Sequence, residues 1–94
     1  MRFEWDPEKA KRYLKKHGVS LDEAVTAFYD PLSATFDDPD HSDQEERYIT
    51  IGFSSRGRLL VIGHTERGEA VRIISARPAT AHERKRHEDQ KEKL

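Results

Sequence analysis

Cysteine is absent from the 94 residues, which excludes a disulfide framework, a thiolate nucleophile and a cysteine-rich zinc site together. Long apolar runs are missing as well. The longest strongly apolar stretch, LLVIG at 59–63, is far too short to span a bilayer, and the opening MRFEWDPEKA has no stretch resembling a signal peptide. These absences predict a cytoplasmic protein with no membrane role. Hydrophobic residues are only 34% of the chain against 37% charged, so the core is modest, and further stabilisation by self-association or a partner is expected. The length predicts one domain over 1–94, with 88–94 as a loose tail.

An excess of one charge is lacking too, since the formal net charge is −1, but the balance hides a polarity. Residues 1–47 hold seven Lys/Arg against twelve Asp/Glu, a balance of −5; residues 48–94 hold ten against six, a balance of +4. A chain of this kind binds nucleic acid only through a local patch, and its acidic half limits indiscriminate binding.

Local signals divide the chain clearly. An extended start at Phe3 to Trp5 precedes Asp6-Pro7, the form of an N-cap followed by proline in the first turn. That predicts a helix from Pro7 to about His17, with Ala10, Tyr13 and Leu14 on its apolar side and Gly18 as its left-handed stop. Ser20-Leu-Asp-Glu23 is a capping box opening a second helix, in which Leu21, Ala24, Val25 and Phe28 form a stripe that Asp30-Pro31 ends. LSATF at 32–36 predicts a short strand and DDPDHSDQEE an acidic loop.

Three strands follow, at Arg47 to Ser54, Arg58 to Thr65 and Glu69 to Arg77, joined by connections short enough for antiparallel hairpins. Thr80 to Glu83 is a second capping box, opening a terminal helix from Ala79 to Leu94 that is polar nearly all round. The predicted fold class is α+β: two N-terminal helices, an antiparallel β-meander and a C-terminal helix.

Several segments resemble, in order, the BrnT toxins of bacterial type II toxin–antitoxin systems: FEWDPEKA, KHGVSLDEA, FYDP, DHSDQEER, and RIISAR followed by ER. The resemblance covers nearly the whole chain. It implies a RelE-like α+β fold, toxic endoribonuclease activity on RNA, and neutralisation by a BrnA-type antitoxin, so that DNA is contacted only through the antitoxin. A homodimer or a heterotetramer is the assembly expected. Two positions depart from the family: Tyr13 stands where it commonly has Asn, and His87 where it commonly has Tyr after the ER motif.

The residues themselves fit chemistry on a phosphodiester. Metal-independent RNA cleavage needs the 2′-hydroxyl proton removed, in-line attack on phosphorus, stabilisation of the extra negative charge and protonation of the leaving oxygen. Arginine is always charged and its planar fork matches phosphate, which makes Arg67, Arg77 and Arg84 the candidates for charge stabilisation. Strand alternation sends Arg72 to the face opposite Arg77, where it pairs with a carboxylate of the acidic loop. His64 is read either as a rim histidine or, beside Arg67, as the leading acid/base group.

Glu46 is either a base or the carboxylate that holds an arginine in place. Lys15 and Lys16 are either a solvated face or a guide for an RNA backbone. His17 fits the carbonyl end of the first helix, and Phe3 and Trp5 fit the core better than a base-stacking role. His82 and His87 do not share a helix face, and His41 with Asp40 and Asp43 makes only an adventitious cation site, so no metal and no cofactor are expected. The competing reading is a non-catalytic module that binds a DNA-binding antitoxin and contributes to autoregulation.

Overall fold

The computed structural model describes residues 1–38 and 46–92. Asp6 caps α1 (Pro7–His17), its carboxylate accepting the Glu8 N–H at 2.9 Å, and Gly18 closes the helix at φ 67° with its N–H on the Leu14 carbonyl. Ser20 caps α2 (Leu21–Ala27) by accepting the Glu23 N–H at 3.0 Å. α2 is shorter than the stripe suggested. Phe28 and Tyr29 bond instead to the carbonyls of Val25 and Thr26, and Asp30 takes over, accepting the N–H of Leu32 at 2.9 Å and of Phe53 at 2.8 Å. The second bond ties the exit of α2 to the sheet.

The capping box at Ser20 is only half formed, because the Glu23 carboxylate is used elsewhere. It accepts from Ser54 Oγ at 2.7 Å, from Arg58 Nε at 2.9 Å, and from the Arg58 terminal nitrogen, which also reaches the Gly18 carbonyl at 2.8 Å. Glu23 is 6% exposed. Guanidinium donation holds its carboxyl below the usual carboxylate range, as expected for a buried, fully bonded pair.

The strands are β1 (Arg2–Glu4), β2 (Ala34–Asp37), β3 (Arg47–Phe53), β4 (Leu59–Arg67) and β5 (Ala70–Pro78), and α3 (Ala81–Glu92) ends the fold. They form one sheet in the order β1-β5-β4-β3-β2. β2 to β5 are antiparallel, as the meander predicts, but β1 pairs parallel with β5, Phe3 opposite Val71. The extended start is therefore an edge strand and the sheet is mixed.

One irregularity decides what each face carries. Gly63 pairs with Ser75 and His64 with Ile73, so Ile74 is an extra residue, a β-bulge in β5. Beyond it the alternation reverses. Ile73 and Ala76, of opposite parity, both join the core with Leu60, Ile62, Val19, Leu21, Ala24 and Ala27, and Phe3, Trp5, Ala10 and Phe28 pack against it. This core lies between the sheet and α1 with α2. Gly52 permits the contact: a Cβ there would stand 2.6 Å from the Ala27 carbonyl oxygen.

Ile49, Ile51 and Val61 lie on the other face, which α3 partly covers. Thr80 and Glu83 complete the second capping box, with bonds of 2.9 and 3.2 Å.

Candidate functional site

The sequence reading grouped His64 with Arg67 and Arg77. The structure separates them. His64 lies inside β4 rather than at its rim, 4% exposed, on the face that packs against α2. Its ring meets Phe28 edge-on at 5.0 Å and stacks on Tyr48 at 5.8 Å. Nε2 shares a hydrogen bond with Thr50 Oγ1 at 2.7 Å, and Thr50 with Thr35 at 2.8 Å, while Nδ1 is buried with no partner among the described residues. Burial pushes the imidazole down to about 4, so it is neutral at physiological pH. Arg77 is on the opposite face, beside Val61.

On that opposite face the bulge has gathered cations. Without it Arg72 would diverge from Arg77, as alternation predicts; with it the two share a face. Arg47 and Arg72 flank Thr65 on β3 and β5, so their backbones stand two strand spacings apart, about 10 Å. Arg67 lies two residues further along β4 on the same face. Thr65 Oγ1 and Arg47 Nε are buried without a hydrogen-bond partner among the described residues. Arg72 pairs with Glu4 of β1 at 3.8 Å; most of the acidic loop lies outside the described residues. Arginine stems are long enough to converge over Thr65 on a group such as phosphate.

Glu46 immediately precedes Arg47 at this end of the sheet. It is exposed and accepts the Tyr48 hydroxyl at 2.7 Å, which pushes that phenol up to about 12. Because the Tyr48 ring stacks on His64, this bond turns the Glu46 carboxylate toward the His64 face and away from the arginines.

Arg77 occupies the other end of the face. It donates to both oxygens of Glu83 at 2.7 and 2.9 Å and to the Pro78 carbonyl at 3.3 Å. The guanidinium holds the Glu83 carboxyl down at about 2. This fork fixes the start of α3 against β5 and neutralises Arg77 within the chain. Arg84 is exposed on the same helix. Lys15 and Lys16 are exposed in the last turn of α1, across the sheet from α3, so the basic residues predicted to bind RNA do not form one surface.

Asp40, His41 and Asp43 lie outside the described residues. Sequence reasoning missed Arg47 and Thr65, although period-two alternation from Ile49 and Ile51 already aligns Arg47 with them. The only local hint of the bulge is the doublet Ile73-Ile74, which a simple alternating strand would not place side by side.

A family model described as "Ribonuclease toxin, BrnT, of type II toxin-antitoxin system" matches residues 5–83. The crystal structure of the Brucella abortus ribonuclease toxin BrnT is similar at a TM-score of 0.63 and 23% identity, over 85% of this chain and 97% of that one. That likeness extends to the fold. No curated protein matches the chain.

Proposed function

This chain belongs to the BrnT family of ribonuclease toxins of type II toxin–antitoxin systems, and from that premise we propose that it cleaves RNA without a metal, using the arginine-bearing face of the sheet. The observation that carries this reading is the placement of Arg47, Arg67 and Arg72 on one face of the sheet around Thr65. RNA brings its own nucleophile. The 2′-oxygen loses its proton and attacks the adjacent phosphorus, the bond from phosphorus to the 5′-oxygen breaks, and that oxygen takes up a proton. The products are a 2′,3′-cyclic phosphate and a 5′-hydroxyl.

In this reading Arg67, with Arg47 and Arg72, stabilises the charge gained by the phosphate and the 2′-hydroxyl proton passes to water, because Glu46, bonded to Tyr48, is held on the His64 side of the sheet. Each arginine is worth about 10²–10³ in rate by analogy with donors to a developing oxyanion. Arg84 holds a neighbouring phosphate, and Arg77, forked to Glu83, positions the start of α3 beside that path. His64 sits on the wrong face for proton transfer there and acts in packing. Lys15 and Lys16 fall outside the path.

The substrate places the reaction in the cytoplasm, where cutting RNA inhibits translation, and no described helix is long and apolar enough to cross a membrane. A type II toxin is paired with a protein antitoxin; we assign that partner to the BrnA kind.

The test is incubation of the purified, antitoxin-free protein with defined RNA in excess chelator, followed by analysis of the ends. Cleavage to cyclic phosphate and 5′-hydroxyl ends, lost in Arg67→Ala and Arg72→Ala but retained in Lys16→Ala, is expected. A requirement for divalent metal, 5′-phosphate ends, or full activity in both arginine variants overturns the mechanism.

A further inference from the structure

Between α3 and the sheet lies a cavity of about 240 Å³. Its floor is aliphatic, built by Ile49, Ile51 and Val61 from adjacent strands, and Phe36 of the edge strand β2 forms one wall, 43% exposed. The opposite wall comes from α3, where Arg86, His87 and Gln90 line it. His87 is 5% exposed, its ring is edge-on to Phe53 at 6.0 Å, and its Nε2 has no hydrogen-bond partner among the described residues. The Arg77–Glu83 fork closes the end nearest the start of α3.

We propose that this cavity is a nucleobase pocket, which takes a base flanking the cut when the RNA backbone lies along the arginine face. This rests on the ribonuclease reading above.

Three features point to a nucleotide in particular. The space is wide enough for a planar ring, and its floor is apolar while one wall is an exposed aromatic, the arrangement that stacks unpaired bases. The α3 wall supplies a side-chain amide and an imidazole, groups that read base edges by hydrogen bonding. Arg86, an exposed lining residue, is complementary to a phosphate beside the base. α3, which has no apolar stripe of its own, thereby gains a reason to lie across an apolar patch it does not fill.

Methyl NMR of Ile49, Ile51 and Val61 in the antitoxin-free protein tests the pocket without requiring catalysis. Titration with adenosine, guanosine, cytidine or uridine 3′-monophosphate should move these methyls saturably for at least one base. Ribose 5-phosphate, which lacks a base, should not. Gln90→Ala and Arg86→Ala, both exposed helix positions, should each weaken that response about tenfold, and Gln90→Ala should flatten the base preference at the cut site.

Equal shifts with ribose 5-phosphate, no shift with any nucleotide, or shifts with a protein partner alone overturn the proposal. Saturable nucleotide shifts in a protein that leaves RNA intact would remove the cleavage mechanism and keep the pocket.

Discussion

His64 shows how a residue type misleads until its surroundings are known. A histidine next to a cationic turn reads as an acid or base, yet β4 buries it under Phe28 and bonds it to Thr50. Its folded pKa of about 4 lies below the ordinary 6.5, so between those values the unfolded chain binds the extra proton. Stability is therefore full above about pH 6.5 and is lost as pH falls toward 4, by about 3 kcal/mol at most. Urea titrations followed by Trp5 fluorescence should show this loss between pH 7 and pH 5 in the wild type and a shallower slope in His64→Gln. Equal slopes would mean that His64 is not held neutral.

The Glu23–Arg58 pair has the opposite character, since removing one partner leaves a charge stranded. Arg58→Met should cost about 3 kcal/mol, because the Glu23 carboxylate keeps the Ser54 hydroxyl and the more distant, exposed Arg56 at 3.9 Å but loses its forked guanidinium. The same urea titrations would show it, and a change under about 1 kcal/mol, the worth of a surface pair, would place that carboxylate in water.

At the scale of elements, packing depends on close approach and on register. α2 lies so near β3 that a Cβ on Gly52 would meet backbone at 2.6 Å, whereas one on Gly63 would meet only the Ser75 hydroxyl, at 2.7 Å. A hydroxyl can rotate and a backbone carbonyl cannot move without the helix. Gly52→Ala should therefore destabilise the protein by about 2 kcal/mol, and Gly63→Ala by clearly less; thermal unfolding of the two variants decides. The reversed order would show that α2 yields more easily than the Ser75 rotamer.

The bulge in β5 is the element-level device with the largest reach. It lets one strand supply Ile73 and Ala76 to the core on one side and Arg72 and Arg77 to the opposite side. α3 contributes its polar surface in turn, fastened at its start by the Arg77–Glu83 fork and further along by His87 against Phe53.

On the scale of the whole molecule, the two faces divide the work. α1 and α2 close one face into a core, while the other face keeps its arginines and a half-covered apolar floor. In the cell such a face has to be silenced, and a type II antitoxin that buries it while offering carboxylates gains both apolar burial and charge-assisted hydrogen bonds. Hydrogen exchange on the toxin alone and with its cognate antitoxin should show added protection across residues 64–88. Confirmed binding without that change would move the interface elsewhere.

The sequence by itself determined the elements, because their signals are local. Asp6-Pro7, Gly18, Ser20 and Thr80 act within one helical turn, and the alternation in 47–53 needs only neighbouring residues. The three hairpin strands, the α+β class and the family resemblance were legible for the same reason. Tertiary structure decided what no local signal carries. It set the parallel docking of Phe3 beside Val71, diverted Glu23 from its capping box to Arg58, and put His64 in the core. It also decided that Arg77 shares a face with Arg72, since a single extra residue at Ile74 reverses which side every later side chain faces, and that reversal exists only in pairing with β4.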